Sequence, residues 1–446
     1  MGLRLRYAVS LWLNFKSIWL ESGFFQMKTE PLASKVLGLA ARVVEGSSKE
    51  HPADAVLRTV LKTTRGFSRE ESREVARAVF SYFRWFGWID KGRPSSAGLK
   101  HAFELDQAFR ERPGTFSDEK LLARAVPSWI KETMPVTGEW VRGLQSEPSL
   151  WLRARVGKSQ DVMERLQGPS TVHRSLESGA GTARPRGPSG DESSPPRFVG
   201  SFGACQAVGE ILPGTLKEGA IRYSGLGDLF QTSAFHEGLF ELQDLSSQVV
   251  GWVCDPKPGE TWWDACAGEG GKTLHLSDLM ENKGLIWASD RAKWRLDILK
   301  KRAARSRCFN YRSALWDGGE KLPTKTKFDG VLMDAPCSGV GTWQRNPHGR
   351  WTLQPEDVVE LAALQQRLLG NASHAVKEGG RLIYSVCTLT TAECDDVCGA
   401  FAASHPEFEP EPFPVFGAAG EASKLWLKPP GFPGNGMFIA CWRKRK

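Results

Sequence analysis

The sequence predicts an α/β protein whose C-terminal half is a doubly wound, mainly parallel sheet. Three observations predict it. From about residue 246 strand-like and helix-like stretches alternate; small residues and carboxylates follow several of those strands; and the N-terminal third carries helical spacing instead. With 446 residues, 41% hydrophobic and 25% charged, the chain is neither a disordered tail nor a multi-span transporter. Its length calls for more than one domain.

Taken in order, residues 1–32 are expected to be a peripheral extension. Their opening is basic and apolar, but Asn14 and Lys16 interrupt the apolar run and no small-residue cleavage site follows. Residues 33–135 read as a helical domain. Within it Val75, Val79, Phe83 and Phe86 recur at helical spacing behind a Ser68 to Glu71 capping box. Residues 146–240 read as a small α+β domain, opened by an alternating strand and a helix from residue 148. Its stretch 168–197 is so rich in Gly, Pro and Ser that it cannot bury enough apolar surface to order, and a floppy insertion is expected there. Residues 241–446 hold the alternating part: strands at TWWDA, LIWAS, FDGVLM and RLIYSV, with helices between them and a long one at about 355–377.

Charge and cysteine usage narrow the class. The formal net charge is +8, while residues 231–446 hold 26 basic and 26 acidic side chains, so the excess lies N-terminal to residue 231. A positive part joined to a neutral part suits a protein that meets a polyanion with one region and does chemistry with another. Nine scattered cysteines, an odd number in a long chain, point to a reducing, cytoplasmic setting.

In an open parallel sheet the ligand sits at the carboxyl ends of the strands. After the first strand comes Asp264-Ala265-Cys266-Ala267-Gly268-Glu269-Gly270-Gly271-Lys272-Thr273, where small residues let a ligand approach the backbone at a helix start. It has neither P-loop spacing nor the strict order of glycines of a dinucleotide fingerprint. Asp290, 26 residues after Asp264, can accept from a ribose diol, and Arg295 lies one turn into the next helix. Trp316-Asp317-Gly318 offers a further carboxylate after a probable strand. A nicotinamide cofactor is compatible with these features, so the later strand ends must discriminate.

Those ends carry Asp334-Ala335-Pro336-Cys337 and Cys387-Thr388-Leu389. A thiolate is a strong nucleophile near neutral pH and can add to carbon 6 of a pyrimidine, which makes carbon 5 nucleophilic toward a methyl donor. A carboxylate beside it can share a proton with ring nitrogen 3, and Asp334 is the candidate.

LQDLSSQ (242–248), DACAGEGGKT, FDGVLMDAPCSG (328–339), RNPHGRW (345–351) and YSVCTLTTAE (384–393), in that order, resemble the RsmB/NSUN family of RNA cytosine-5 methyltransferases. VLRTVL near 57 and PSWI near 127 resemble, more loosely, the NusB-like helical domain of its bacterial ribosomal RNA branch. The resemblance implies a Rossmann-like methyltransferase sheet, preceded by that helical RNA-binding domain and the small α+β domain. It implies Cys387 as the nucleophile, Cys337 as the residue that assists release of the methylated base, and Asp334 against the target ring. Cys266, Ala267, Gly268, Glu269, Gly270, Gly271, Lys272, Asp290, Arg295, Asp317 and Asp334 would hold S-adenosylmethionine. The chain departs from the family's usual Cys-Ala-Ala-Pro-Gly-Gly-Lys at Gly268 and Glu269, and from a common Ser at Thr388. Glu269 adds a negative charge near a sulfonium and bears on cofactor affinity, and Lys272 has a simpler reading as a solvated side chain.

Arg345, Asn346, His348, Arg350 and Trp351 form a basic and aromatic stretch expected to contact phosphate and stack around an extruded cytosine. Cys394 and Cys398, four apart, fit no zinc pattern and are expected in the core; no metal is expected, and a monomer is. The expected function is RNA cytosine-5 methylation on ribosomal RNA. The alternatives are a transfer RNA methyltransferase and a non-catalytic RNA-binding ribosome assembly factor on the same fold.

Overall fold

The computed structural model describes residues 32–446 except 91, 93, 168–204, 208–218, 226 and 417–419. The expected extension, apart from residue 32, and the expected insertion at 168–197 lie outside the described residues.

Helices dominate the first described part: Ser34–Glu45, Ala53–Thr63, Arg69–Arg84, Ser95–Glu111, Asp118–Arg124 and Gly138–Leu144. The capping box forms as its sequence implies, with Ser68 Oγ accepting from the Glu71 N–H (3.0 Å) and Glu71 accepting from the Ser68 N–H (2.7 Å). Val75, Val79 and Phe83 are buried in one apolar core, whereas Phe86 starts a short 3₁₀ turn and packs against that core's edge. The same core takes in Val340, Trp343 and Leu389 from the far end of the chain. The helices therefore do not bury their apolar faces among themselves alone.

A four-stranded antiparallel sheet follows, made of β1 (Leu150–Ala154), β2 (Cys205–Ala207), β3 (Ala220–Tyr223) and β4 (Phe240–Leu242) in the order β2-β3-β1-β4. The helix Ser159–Gln167 contributes buried Val162 and Leu166 to the core on this sheet.

The C-terminal half forms an eight-stranded mixed sheet. β5 (Thr261–Asp264), β6 (Leu285–Asp290), β7 (Tyr311–Leu315), β8 (Phe328–Asp334) and β9 (Val376–Val386) are parallel, in the spatial order β9-β8-β5-β6-β7. After β10 (Phe408–Pro410), β11 (Phe413–Pro414) pairs with β12 (Glu421–Ala422) in a separate two-stranded ribbon. β13 (Lys424–Leu427) and β14 (Met437–Lys444) complete the large sheet: β14 runs antiparallel to β9, with β10 and β13 antiparallel on its outer side.

Successive strand residues point to opposite faces, and the two tryptophans of β5 show the result. Trp262 packs with Leu276 and Val250 under the helices Gly271–Leu279 and Leu245–Cys254, while Trp263 packs with Leu369 and Val397 under Pro355–Ser373 and Asp395–Ser404. Helices thus cover both faces. The long helix stops at Ser373, short of the expected 377, because Val376 already pairs with Phe328 and Gly379 has a positive φ of 73° that a helix cannot continue through. No helix among the described residues is long and apolar enough to cross a membrane.

Candidate active site

Parallel pairing of β8 with β9 places Asp334 opposite Ser385. Cys337 and Cys387 follow that matched pair by three and two residues, so the chain brings both thiols to one sheet edge and their sulfurs stand 3.3 Å apart. Cys337 is buried, whereas Cys387 is partly exposed. The hydrogen bond from Cys337 holds the Cys387 thiol below the ordinary thiol range; Lys272 and Arg345 add to this, while burial and Asp334 oppose it. Cys337 is pushed the other way by the same hydrogen bond and by burial. Both directions favour a thiolate on the more accessible sulfur, that of Cys387.

Asp334 accepts from Lys272 Nζ (2.6 Å) with one oxygen and from Ser385 Oγ (2.8 Å) with the other. Lys272 is not the solvated side chain that its place in a glycine-rich turn suggested. It is buried in the first turn of its helix and aims at the carboxylate across the strand ends. Burial works against its charge, yet Asp334 raises the ammonium above its ordinary range. Behind the pair, fully buried Asp264 accepts from Thr273 Oγ1 (2.6 Å), and its Oδ1 has no partner. Burial pushes this carboxyl up to about 7, with the Thr273 hydrogen bond opposing the shift.

The turn between β5 and the next helix folds onto Asp290, which accepts from the N–H groups of Gly268 (3.1 Å) and Ala292 (2.7 Å). Gly268 and Gly271 have nothing within 4 Å of where a Cβ would stand, so a ligand can reach the backbone there. Gly270 has φ 85°, and a Cβ on it would meet Leu299 at 2.6 Å, so the tight turn itself demands glycine. Cys266 lies at the same strand end, partly exposed, and Ala267 is buried beside it. Glu269 is largely buried; burial raises its carboxyl, with Arg302 and Arg295 opposing, and Arg302 also donates to the Glu269 carbonyl (3.0 Å). Arg295 lies 3.7 Å from Asp290. Asp317 is exposed and accepts from the Gly319 N–H (2.9 Å), closing its own turn at the end of β7. A glycine-lined cradle, a helix start and a strand-end carboxylate fit a nucleoside-bearing cofactor.

The stretch 345–351 departs most from expectation. Arg350 is fully buried, and its guanidinium donates to the carbonyls of Arg84 (3.4 Å), Ala125 (2.8 Å), Leu144 (3.2 Å) and Trp343 (3.2 Å). The first three stand at the C-terminal ends of three different helices, where carbonyls lack intrahelical donors and the helix dipole favours a cation. His348 is buried edge-on against Phe83, and burial drops its imidazole to about 4. Trp351 Nε1 donates to the Phe83 carbonyl (2.6 Å), with its ring against Phe86. These three side chains hold the helical part against the sheet; Arg350 and His348 are buried and offer no surface to phosphate or base, whereas Trp351 is only partly buried. Asn346 Oδ1 accepts from the Gly349 N–H (3.3 Å) within its own turn. Of the five, Arg345 is the one whose charge acts on Cys387. Sequence spacing did not reveal this docking because a buried arginine and an RNA-binding one look alike until their acceptors are known.

Sequence reasoning also missed Glu393, which joins the loops carrying the two thiols. Its position in YSVCTLTTAE, among Thr388 and Thr390, was the available signal. Cys394 and Cys398 are core side chains, as expected. No cluster of three or more His, Cys, Asp or Glu suited to a metal occurs among the described residues.

Residues 252–443 match the family model described as 16S rRNA methyltransferase RsmB/F. The chain is 36% identical over 251 residues to the probable ribosomal RNA small subunit methyltransferase B of Bacillus subtilis, covering 53% of this chain and 54% of that one. It is 40% identical over 168 residues to the mouse tRNA (cytosine(72)-C(5))-methyltransferase NSUN6, covering 35% of each. The chain thus spans about half the length, or less, of these relatives. In fold it is similar to the solved protein PH0851, with a TM-score of 0.70, 23% identity, and coverage of 94% of this chain and 100% of that one.

Proposed function

We propose that the chain, which matches the 16S rRNA methyltransferase RsmB/F family model over residues 252–443, is an RNA cytosine-5 methyltransferase of the RsmB/NSUN family that uses S-adenosylmethionine and acts on ribosomal RNA. The observation that carries this reading is the pair of thiols in contact at two parallel strand ends, beside a Lys272–Asp334 ion pair. When bound, S-adenosylmethionine supplies an electrophilic methyl group.

The residues divide the remaining work. Cys387, the accessible thiolate, adds to carbon 6 of the cytosine and raises the electron density at carbon 5. Asp334, held by Lys272 and Ser385, takes up position at ring nitrogen 3, where a proton is shared as the ring gains charge. Cys337 keeps its proton while Cys387 attacks. After methyl transfer the hydrogen on carbon 5 leaves as a proton, the bond between sulfur and carbon 6 breaks with its electron pair returning to Cys387, and the aromatic ring is restored. With Cys387 bonded to carbon 6, Cys337 gives its proton to solvent water, and the thiolate left behind is the base that takes the carbon 5 proton. Cys266 through Lys272, Asp290, Arg295 and Asp317 form the proposed cofactor cradle, with open backbone at Gly268 and Gly271 supporting the fit.

The helical part, residues 33–135, is read as a NusB-like RNA-binding domain, supported by the positive charge N-terminal to residue 231. The small α+β part, residues 146–240, joins it to the methyltransferase part, residues 241–446. A monomer in the reducing cytoplasm fits nine free cysteines. Bisulfite mapping of cellular RNA with and without the gene tests the proposal: loss of a 5-methylcytosine from ribosomal RNA supports it. Loss from transfer RNA would transfer the assignment to the second substrate class, and no loss would leave the assembly-factor reading.

A further inference from the structure

Glu393 lies six residues beyond Cys387 on a strand-end loop, and its carboxylate is completely buried without a salt-bridge partner among the described residues. A buried carboxylate must be met by donors or be expelled. Five donors meet this one. Oε1 accepts from the Ser338 N–H (2.8 Å) and from Gln365 Nε2 (2.9 Å). Oε2 accepts from Thr388 Oγ1 (3.1 Å), Thr390 Oγ1 (2.8 Å) and the Ser338 hydroxyl.

Two of these donor residues are the immediate neighbours of the thiols, since Ser338 follows Cys337 and Thr388 follows Cys387. Gln365 also donates to the Pro336 carbonyl (2.9 Å), and Tyr384 Oη donates to the Glu393 carbonyl (2.7 Å), so the clamp extends to the long helix and to β9. We propose that Glu393 is the positioning residue of this site: by gathering Ser338 and Thr388 on one carboxylate it keeps the two sulfurs in contact and leaves Cys387 as the thiol that attacks. The inference rests on the reading of Cys387 as the nucleophile.

Two physical effects act in the same direction. The first is geometric, because contact between the sulfurs is needed for Cys337 to donate its proton toward Cys387. The second is electrostatic. The Glu393 charge stands against Cys337 and opposes its ionisation, while the cations facing Cys387 are Lys272 and Arg345, with Asp334 the opposing anion. Burial raises the Glu393 carboxyl itself, and the hydrogen bonds from Ser338, Gln365 and Thr390 pull the other way. Replacing the carboxylate by an amide presents donors to donors, which breaks the clamp without changing the side-chain volume.

The test is alkylation of the full-length protein with iodoacetamide across a pH series, read by peptide mass mapping at Cys337 and Cys387, in the wild type, Glu393→Gln and Ser338→Ala. In the wild type Cys387 is expected to react first. In Glu393→Gln the ratio of Cys387 to Cys337 alkylation near neutral pH is expected to fall about tenfold, with the Cys387 pH midpoint moving upward. A folded Glu393→Gln protein with unchanged ratio and midpoint overturns the proposal. If that variant does not fold, Ser338→Ala, which loses one donor and keeps the backbone bond, decides by the same readout: a lowered ratio supports the clamp and an unchanged ratio overturns it. Failure of the nucleophile reading is separate, because it shows as preferential alkylation of Cys337 in the wild type.

Discussion

Cys337 and Cys387 touch sulfur to sulfur at 3.3 Å although 50 residues separate them, and the two are not equivalent. One is buried and drawn toward its protonated form, while the other is partly exposed and drawn toward its thiolate. Cys387→Ala is therefore expected to abolish any covalent RNA adduct. Cys337→Ala is expected to let an RNA-linked species accumulate, seen as a slowly migrating band on a denaturing gel with substrate RNA and S-adenosylmethionine. The reverse pattern would exchange the two roles.

Asp290 receives the Gly268 and Ala292 N–H groups at the end of β6 and is the proposed acceptor for a ribose diol. Hydrogen bonds to a charged acceptor contribute about 1.5–3 kcal/mol. Asp290→Ala should weaken S-adenosylmethionine binding roughly tenfold to a hundredfold by calorimetry. Unchanged affinity would remove Asp290 from the cradle.

Arg350 satisfies carbonyls at three helix ends at once, so Arg350→Ala leaves several buried acceptors without a donor. The expected loss is about 3 kcal/mol or more, read as a lower urea midpoint. A loss below about 1 kcal/mol would show that water replaces the guanidinium easily. For the same reason a fragment starting near residue 238 is expected to aggregate, since it would expose Val340, Trp343 and Leu389, whose packing partners are the N-terminal helices. A soluble, monomeric fragment would contradict this docking.

Asp264 has a folded-state carboxyl raised to about 7 by burial, above the ordinary carboxyl value of 3.8 that an unfolded chain would show. The folded state then holds the proton more tightly than the unfolded one. The stability linked to this group is complete below the unfolded value and is lost as pH rises toward about 7. Asp264→Asn, which can still accept from Thr273 Oγ1, should flatten that part of the stability profile in urea unfolding at stepped pH. An identical slope in the variant would show that Asp264 is ionised throughout the window.

Local pattern was sufficient for much of this molecule. The capping box at Ser68, the period of β5 and its helix, and the small residues from Cys266 to Gly271 are short-range features, and each formed as its spacing implied. Adjacent strand ends could be expected for the two cysteines because a parallel α/β sheet aligns its carboxyl ends on one edge.

What neighbouring residues could not reveal was who answers each charge. Lys272, Arg350 and Glu393 are charged side chains that a sequence assigns by default to solvent, yet all three are buried. Their partners lie far along the chain: Asp334 for Lys272, the ends of three helices for Arg350, and Ser338 for Glu393. Burying a charge is unfavourable unless donors or acceptors converge on it, and that convergence is a property of packing between distant segments. The strands, the turns and the placing of two cysteines after strand ends follow from local pattern, whereas the docking of the helices and the contacts that gather the thiols exist only once the tertiary structure brings those partners within hydrogen-bond reach.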